Sequence, residues 1–235
     1  MKHTNHKLWA LVLTVLALIA LCAFAASAEI VNSGACGALG DNLTWTLDDA
    51  GVLTISGEGE MANYSESYYS VSQAPWRNKH IQTLIVQEGV TTIGTNAFYC
   101  CEALESVTIP DSVIEIGWGA FEGTEVVYSF YSDDENDDKG FYIGNFLIYG
   151  DYAPAVVVRE GTTVIADGAF YNSDVLTTIS FPESLKHIGN EAFCGCSSLE
   201  SVTFPDGLQS IGESAFYNCE SLESVTFPGG LQSIG

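Results

Sequence analysis

Between residues 81 and 235 the apolar and polar positions recur on one template. Five Ala-Phe or equivalent pairs end in Phe98, Phe121, Phe170, Phe193 and Phe216, at steps of 23, 49, 23 and 23 residues. Five residues before each Phe stands Ile93, Ile116, Ile165, Ile188 or Ile211, and Gly follows four of these. Six after the Phe come Leu104, Leu176, Leu199 and Leu222. Nine after come Val107, Ile179, Val202 and Val225, then Ile109, Phe181, Phe204 and Phe227 two further on, each followed by Pro. A segment such as Val202-Thr203-Phe204 alternates apolar and polar and reads as a short strand with one buried face. The Pro after it removes a backbone donor and ends the ladder. Gly212 suits a tight bend that a side chain would hinder. No stretch offers ten or more residues of helical periodicity, so the connection is at most one helical turn.

A single 23-residue coil cannot bury its apolar side; stacked coils cover one another at roughly 4.8 Å per level. The pattern therefore predicts a solenoid. Its inward set is Ile93, Phe98, Ile116, Phe121, Ile165, Phe170, Leu176, Ile188, Phe193, Leu199, Val202, Phe204, Ile211, Phe216, Leu222, Val225 and Phe227. The template stops within its last copy, at Leu231-Gln232-Ser233-Ile234-Gly235, before the Ala-Phe due next, as a fragment of a longer protein would. Upstream, Leu43-Thr44-Trp45-Thr46-Leu47 and Val52-Leu53-Thr54-Ile55 alternate about an Asp48–Gly51 turn, which predicts a hairpin. Residues 29–80 then form an N-terminal cap over the first coil, with the repeats filling 81–235. The register breaks over 125–155. Residues 132–140, SDDENDDKG, read as a solvated insertion and lack the ligand spacing of a calcium loop. Phe141–Ile143 and Phe146–Gly150 read as two short strands with a bend near Asn145.

The recurrent Leu-x-x-Val-x-Phe-Pro, Leu-x-x-Ile-Gly and Ala-Phe-x-x-Cys, clearest over Leu176–Cys196 and Leu199–Cys219, resembles the leucine-rich repeats of bacterial surface proteins of the spirochaete and Bacteroides antigen type. CGALGDNLTWTLDDAGVLTISGEGE, residues 36–60, resembles a segment that precedes such repeats in secreted bacterial proteins. The resemblance implies a leucine-rich-repeat solenoid of the α/β horseshoe class, strand- and turn-rich with little helix, with short parallel strands on the concave side. It also implies a secreted or surface-exposed bacterial protein.

Composition sharpens this picture. Lys2 and Lys7, the apolar run Leu8–Phe24 and Ala26-Ser27-Ala28 make residues 1–28 a signal peptide, with a membrane anchor as the alternative. Removing it leaves five basic against thirty acidic residues, a net charge near −25. Nucleic acid and anionic lipid are repelled by such a chain, and no membrane insertion is expected after signal removal. Were the host eukaryotic, Asn42-Leu43-Thr44 and Asn63-Tyr64-Ser65 would be glycosylation candidates.

Six of the seven Cys lie beyond the signal. Cys101, Cys196 and Cys219 share the slot three residues after the marker Phe, where other copies have Thr124 and Ser173. Side chains stacked in parallel suit a disulfide poorly, which favours free thiols over bridges. No zinc spacing, nucleophile elbow or phosphate loop is present, and no cofactor, metal or enzymatic activity is expected. His187 occupies a slot that holds Ser210 and Ser233 in sister copies. A hydrolase using surface carboxylates is a minor alternative.

The second side chain of each strand points outward, so Thr108, Ser180, Thr203 and Thr226, flanked by Ser201, Ser224, Glu200 and Glu223, form the candidate binding face. Tyr142 and Tyr149 in the irregular coil are candidate aromatic anchors, alongside Tyr64, Tyr68, Tyr69, Trp76 and Tyr152. The expected function is non-catalytic adhesion or binding of a protein or glycan. The alternative is a structural spacer with no specific ligand.

Overall fold

The computed structural model describes residues 28–64, 73–131, 140–150 and 153–235. Residues 1–27 of the signal segment, the acidic stretch 132–139, and Ser65, Tyr68, Tyr69 and Tyr152 lie outside them. The N-terminal part opens with β1 (Ile30–Gly37), β2 (Gly40–Asp48) and β3 (Val52–Gly57), paired antiparallel in that order. Alternation places Leu43, Trp45 and Leu47 of β2 inward, opposite Gly57, Ile55 and Leu53 of β3. β1, with six consecutive exposed residues, had no such alternation to reveal it.

Parallel stacking starts inside the segment read as cap. β3 pairs in parallel with β5 (Thr83–Val86), and β4 (Gly59–Glu60) with β6 (Val90–Ile93). From there each coil contributes two short strands to two sheets. β5 continues to β7 (Ser106–Thr108), and β6 to β8 (Glu115–Ile116). After the irregular segment, the first side resumes with β11 (Ala155–Val157), β13 (Thr178–Ser180), β15 (Ser201–Thr203) and β17 (Val225–Thr226). The second side resumes with β12 (Val164–Ile165), β14 (His187–Ile188), β16 (Ser210–Ile211) and β18 (Ser233–Ile234). All of these pair in parallel at a constant offset, Ile165 to Ile188 to Ile211 to Ile234.

The third side of each coil corrects the expected fold class. The molecule is a β-solenoid, not an α/β horseshoe. Its one described helix, α1 (Glu125–Tyr131), lies in the irregular segment and not on a regular repeat. The physical reason is visible in the backbone. Two residues before and two after the marker Phe, the chain is left-handed in every coil: Asn96 and Cys100, Gly119 and Gly123, Gly168 and Asn172, Glu191 and Gly195, Ser214 and Asn218. An α-helix of L-residues tolerates no such positions. The N–H groups also divide their partners. Those of Ala192's neighbours Glu191, Phe193 and Gly195 donate to Glu213, Ala215 and Tyr217 of the next coil, while Cys194 and Cys196 donate three residues back, to Glu191 and Phe193. The turns are thus a third hydrogen-bonded wall that ties level to level.

The core is a set of columns between these walls. Phe170, Phe193 and Phe216 stack with centroids 5.0 Å apart at each step, and Trp76, Phe98 and Phe121 stack at 5.3 and 5.5 Å. Trp76 therefore fills the marker slot of the first coil; it is fully buried and its Nε1 donates to the Ala97 carbonyl. Of the inward set read from the sequence, Phe216, Leu222 and Val225 are half-buried, Phe227 is 49 % exposed, and the others are buried. The two columns are separated by the hairpin β9 (Gly140–Ile143) and β10 (Phe146–Gly150), whose β10 pairs in parallel with β12. Gly150 lies against the Phe170 ring, where a Cβ would come within 2.1 Å of it, so the hairpin occupies one level of the stack.

Gly212 is not needed for backbone freedom. A Cβ there would fall 2.5 Å from the backbone N of Asn190 in the preceding coil, so close approach of levels excludes a side chain.

Candidate binding face

The candidate face is the outer surface of the first side. The register aligns Thr178 with Ser201, and Ser180 with Thr203 and Thr226. All five side chains are exposed, as are Thr108, Ser224, Glu200 and Glu223. Ser180, Thr203 and Thr226 thus form one column of hydroxyls, one per level. Thr108 belongs to the sheet that ends at β7, on the other side of the irregular segment, opposite Ile85 of β5. Towards the irregular segment the column continues as Val157, which is 75 % exposed.

Two open recesses of about 400 and 510 Å³ lie along this face. Their walls are the hydroxyls Ser180, Ser201, Thr203 and Thr226 together with Phe181, Phe204 and Phe227. These three rings form a second aromatic stack, with centroids 6.0 and 5.9 Å apart. Sequence reading placed Phe204 and Phe227 in the core alone. Their recurrence two residues after the strand's central Val, just before Pro, was the available signal that they border the face. Its chemistry is that of hydroxyls, aromatic edges and the exposed carboxylates Glu200 and Glu223.

Tyr142 and Tyr149 are not brought to this face. They belong to the hairpin in the other sheet. Tyr142 is half-buried, its hydroxyl accepts from the Arg159 N–H at 3.2 Å, and the Arg159 guanidinium lies 4.2 Å from its ring centroid. Tyr149 stacks on Phe141 at 6.2 Å. Tyr64 and Trp76 are buried and pack edge-on at 5.8 Å.

The second side holds the most perturbed carboxyl. Asp167, 8 % exposed, is pushed up to about 6, first by burial and further by Glu115 and Glu191, against the hydrogen bonds it receives from Asn190. Its Oδ1 accepts the Asn190 N–H at 2.7 Å, and Asn190 Nδ2 spans to Asp167 Oδ2 at 3.1 Å and to Glu115 Oε1 at 3.4 Å. The same contact recurs with amides: Asn63 Oδ1 accepts from Thr95 N, and Asn190 Oδ1 from Glu213 N. The slot after Ile-Gly therefore caps the backbone of the next coil. His187 Nδ1 lies 2.8 Å from Ser210 Oγ in the strand beside it, and burial, then Lys186, lowers its pKa.

The cysteine slot is inward. Cys196 and Cys219 donate their thiols to the carbonyls of Phe170 and Phe193, one level back, at 3.2 Å each. Burial pushes Cys196 up to about 12 and Cys219 to about 11. All six described cysteines are free thiols. Among the described residues no group of three or more His, Cys, Asp or Glu is placed to hold a metal ion. No helix among them is long and apolar enough to cross a membrane.

Fold and face together define a parallel β-solenoid built on a 23-residue repeat. The chain belongs to the BspA type leucine rich repeat family, whose profile matches residues 62–137 and 142–235 in six copies. A comparison with curated proteins gives no match. Among solved structures, a leucine-rich repeat protein from Eubacterium ventriosum is 17% identical, over 86% of this chain and 93% of that one, with a TM-score of 0.34. A leucine rich cell surface protein from Faecalibacterium prausnitzii is 18% identical over 82% and 83%, with a TM-score of 0.40. A leucine-rich repeat protein from Bacteroides ovatus is 26% identical over 81% of this chain and 53% of that one, with a TM-score of 0.36.

Proposed function

We propose that this chain is an exported, non-catalytic binding protein of the bacterial surface or its surroundings, and that it adheres to a protein or glycan through the outer face of β11, β13, β15 and β17. The observation that carries the reading is the column Ser180, Thr203, Thr226, exposed and in register above recesses bordered by Phe181, Phe204 and Phe227. Solenoids offer extended surfaces of this kind. Hydroxyls at one-level intervals donate and accept without charge, and ring edges supply the apolar contact that such partners need. The apolar run and small-residue end of residues 1–28 support export. A net charge of −23 disfavours nucleic acid as the partner.

The test is binding of the mature chain to immobilised matrix proteins and to a glycan array, with Ser180→Arg and Thr203→Arg as variants. Saturable binding that weakens at least tenfold in both variants is the expected result. Absence of saturable binding across both panels, with folding intact by circular dichroism, would replace this reading with the spacer alternative.

A further inference from the structure

A different column occupies the turn side. The residue after the marker Phe is Tyr171 in one coil, Cys194 in the next and Tyr217 in the third. Backbone bonds hold these positions in register: Asn172 N to the Cys194 carbonyl, and Gly195 N to the Tyr217 carbonyl, both 2.8 Å. Tyr171 is 37 % and Tyr217 61 % exposed, while Cys194 between them is buried. The two tyrosines therefore stand two levels apart, roughly 10 Å at the parallel-strand spacing. Trp118 extends the aromatic surface; its ring meets Tyr171 edge-on at 4.9 Å and covers Gly168, where a Cβ would clash at 2.3 Å.

These rings have a charged setting of one sign. The turn segments 94–103, 117–125, 166–175, 189–198 and 212–221 contain no Lys or Arg. They carry acids on the same turns as the tyrosines and between them, including the exposed Asp174, Glu213 and Glu220 and the half-buried Glu191. Electron-rich ring faces flanked by carboxylates attract cations and repel anions. These backbone bonds between levels also hold the rings in place before any partner arrives, which lowers the ordering cost of binding.

We propose that the turn side is a second interaction surface, distinct from the hydroxyl column, and that it takes a basic, extended segment of a partner protein. Lys or Arg side chains of that segment stack on Tyr171 and Tyr217 and pair with the carboxylates around them. Charge complementarity selects this occupant over a neutral glycan, which would use the rings and gain nothing from the acids.

The experiment titrates the full mature chain with a fluorescent octa-arginine peptide at low and moderate salt. Tyr171→Ser/Tyr217→Ser leaves the charge unchanged and is expected to weaken binding about tenfold, as two lost cation–π contacts would. Tyr217→Ser alone, at the more exposed ring, reads the effect without disturbing the Trp118 contact. Tyr128→Ser, at an exposed tyrosine of α1, is expected to bind as the parent does. Equal binding by the double variant and the parent would show that net charge alone attracts the peptide and would overturn the proposal. So would an N-acetylglucosamine oligomer whose binding depends on the two tyrosines while that of the peptide does not.

Discussion

Replacing Asp167 by Asn asks whether a carboxylate is misplaced in a capping column otherwise served by amides. Asp167 rises from the ordinary 3.8 to about 6 because burial penalises its charge, with Glu115 and Glu191 adding to it. The folded protein thus binds a proton more tightly than the unfolded chain does. For an acid raised on folding, stability is fullest below the unfolded value and is lost as pH rises through the folded one. At about 1.4 kcal/mol per pH unit the gap between the two values is worth about 3 kcal/mol, of which about 2 kcal/mol is lost between roughly pH 4.5 and 7. The Asn variant has no such loss. It keeps the acceptor for the Asn190 N–H, as Asn63 and Asn190 do for their own partners. It sets two amide nitrogens against each other at the Asn190 Nδ2 contact, which costs about 1 kcal/mol. Asp167→Asn is therefore expected to match the parent near pH 4.5, where the carboxyl has already lost about 1 kcal/mol of its contribution, and to be about 2 kcal/mol more stable near pH 7. Urea titrations across this range, followed by tryptophan fluorescence, give the difference directly. A difference that stays constant with pH would refute the reasoning, since the other carboxylates are common to both proteins.

Two further expectations concern the turn wall and the thiols. Gly195→Ala places a side chain at φ +78° and 2.2 Å from Asn172 Oδ1, so it should lower stability by about 2 kcal/mol or more, read as a shift in urea midpoint; an unshifted midpoint would contradict the left-handed turn. In the native protein only Cys100 should react promptly with a thiol reagent at about pH 8, because it is exposed, whereas Cys36, Cys101 and Cys196 are pushed to about 12 and Cys219 to about 11. Two or more thiols labelling at the same rate before unfolding would sink that reading.

The spacing of Ile, Phe, Leu and Val made the period and the strand positions legible, because a repeat that buries one side must repeat its apolar slots. The hairpin at Phe141–Gly150 was legible for the same reason: two apolar runs about a bend at Asn145. The horseshoe class was not correct, and the residues explain why the turn wall escaped notice. Its left-handed positions carry Gly123, Gly195, Asn172 and Asn218, which do signal such geometry, but also Cys100, Glu191 and Ser214, which do not. At Cys100 and Glu191 an N–H donated to the next coil, to the Glu122 and Glu213 carbonyls, overrides a local cost of about 1 kcal/mol each. For the candidate face, outward alternation pointed to Ser180, Thr203 and Thr226. It could not assign Phe181, Phe204 and Phe227 to the rims of recesses, because a ring that packs on one side and borders solvent on the other has the same sequence signature as a core ring.

The columns separate stability from recognition. An inward or wall position in the middle of a column is bound to the level before and after it, as with Phe193 between Phe170 and Phe216, or Asn190 between Asp167 and Glu213. A change at such a position is felt at three levels. An outward residue such as Thr203 or Tyr217 contributes no ladder bond through its side chain, so its replacement should alter stability by no more than about 0.5 kcal/mol. The two outward columns differ in chemistry, neutral hydroxyls beside ring edges on one side and tyrosines among carboxylates on the other. A partner that depends on one column should therefore be indifferent to substitutions in the other, and loss of both bindings by a single outward substitution would mean that the fold, not the surface, had been disturbed.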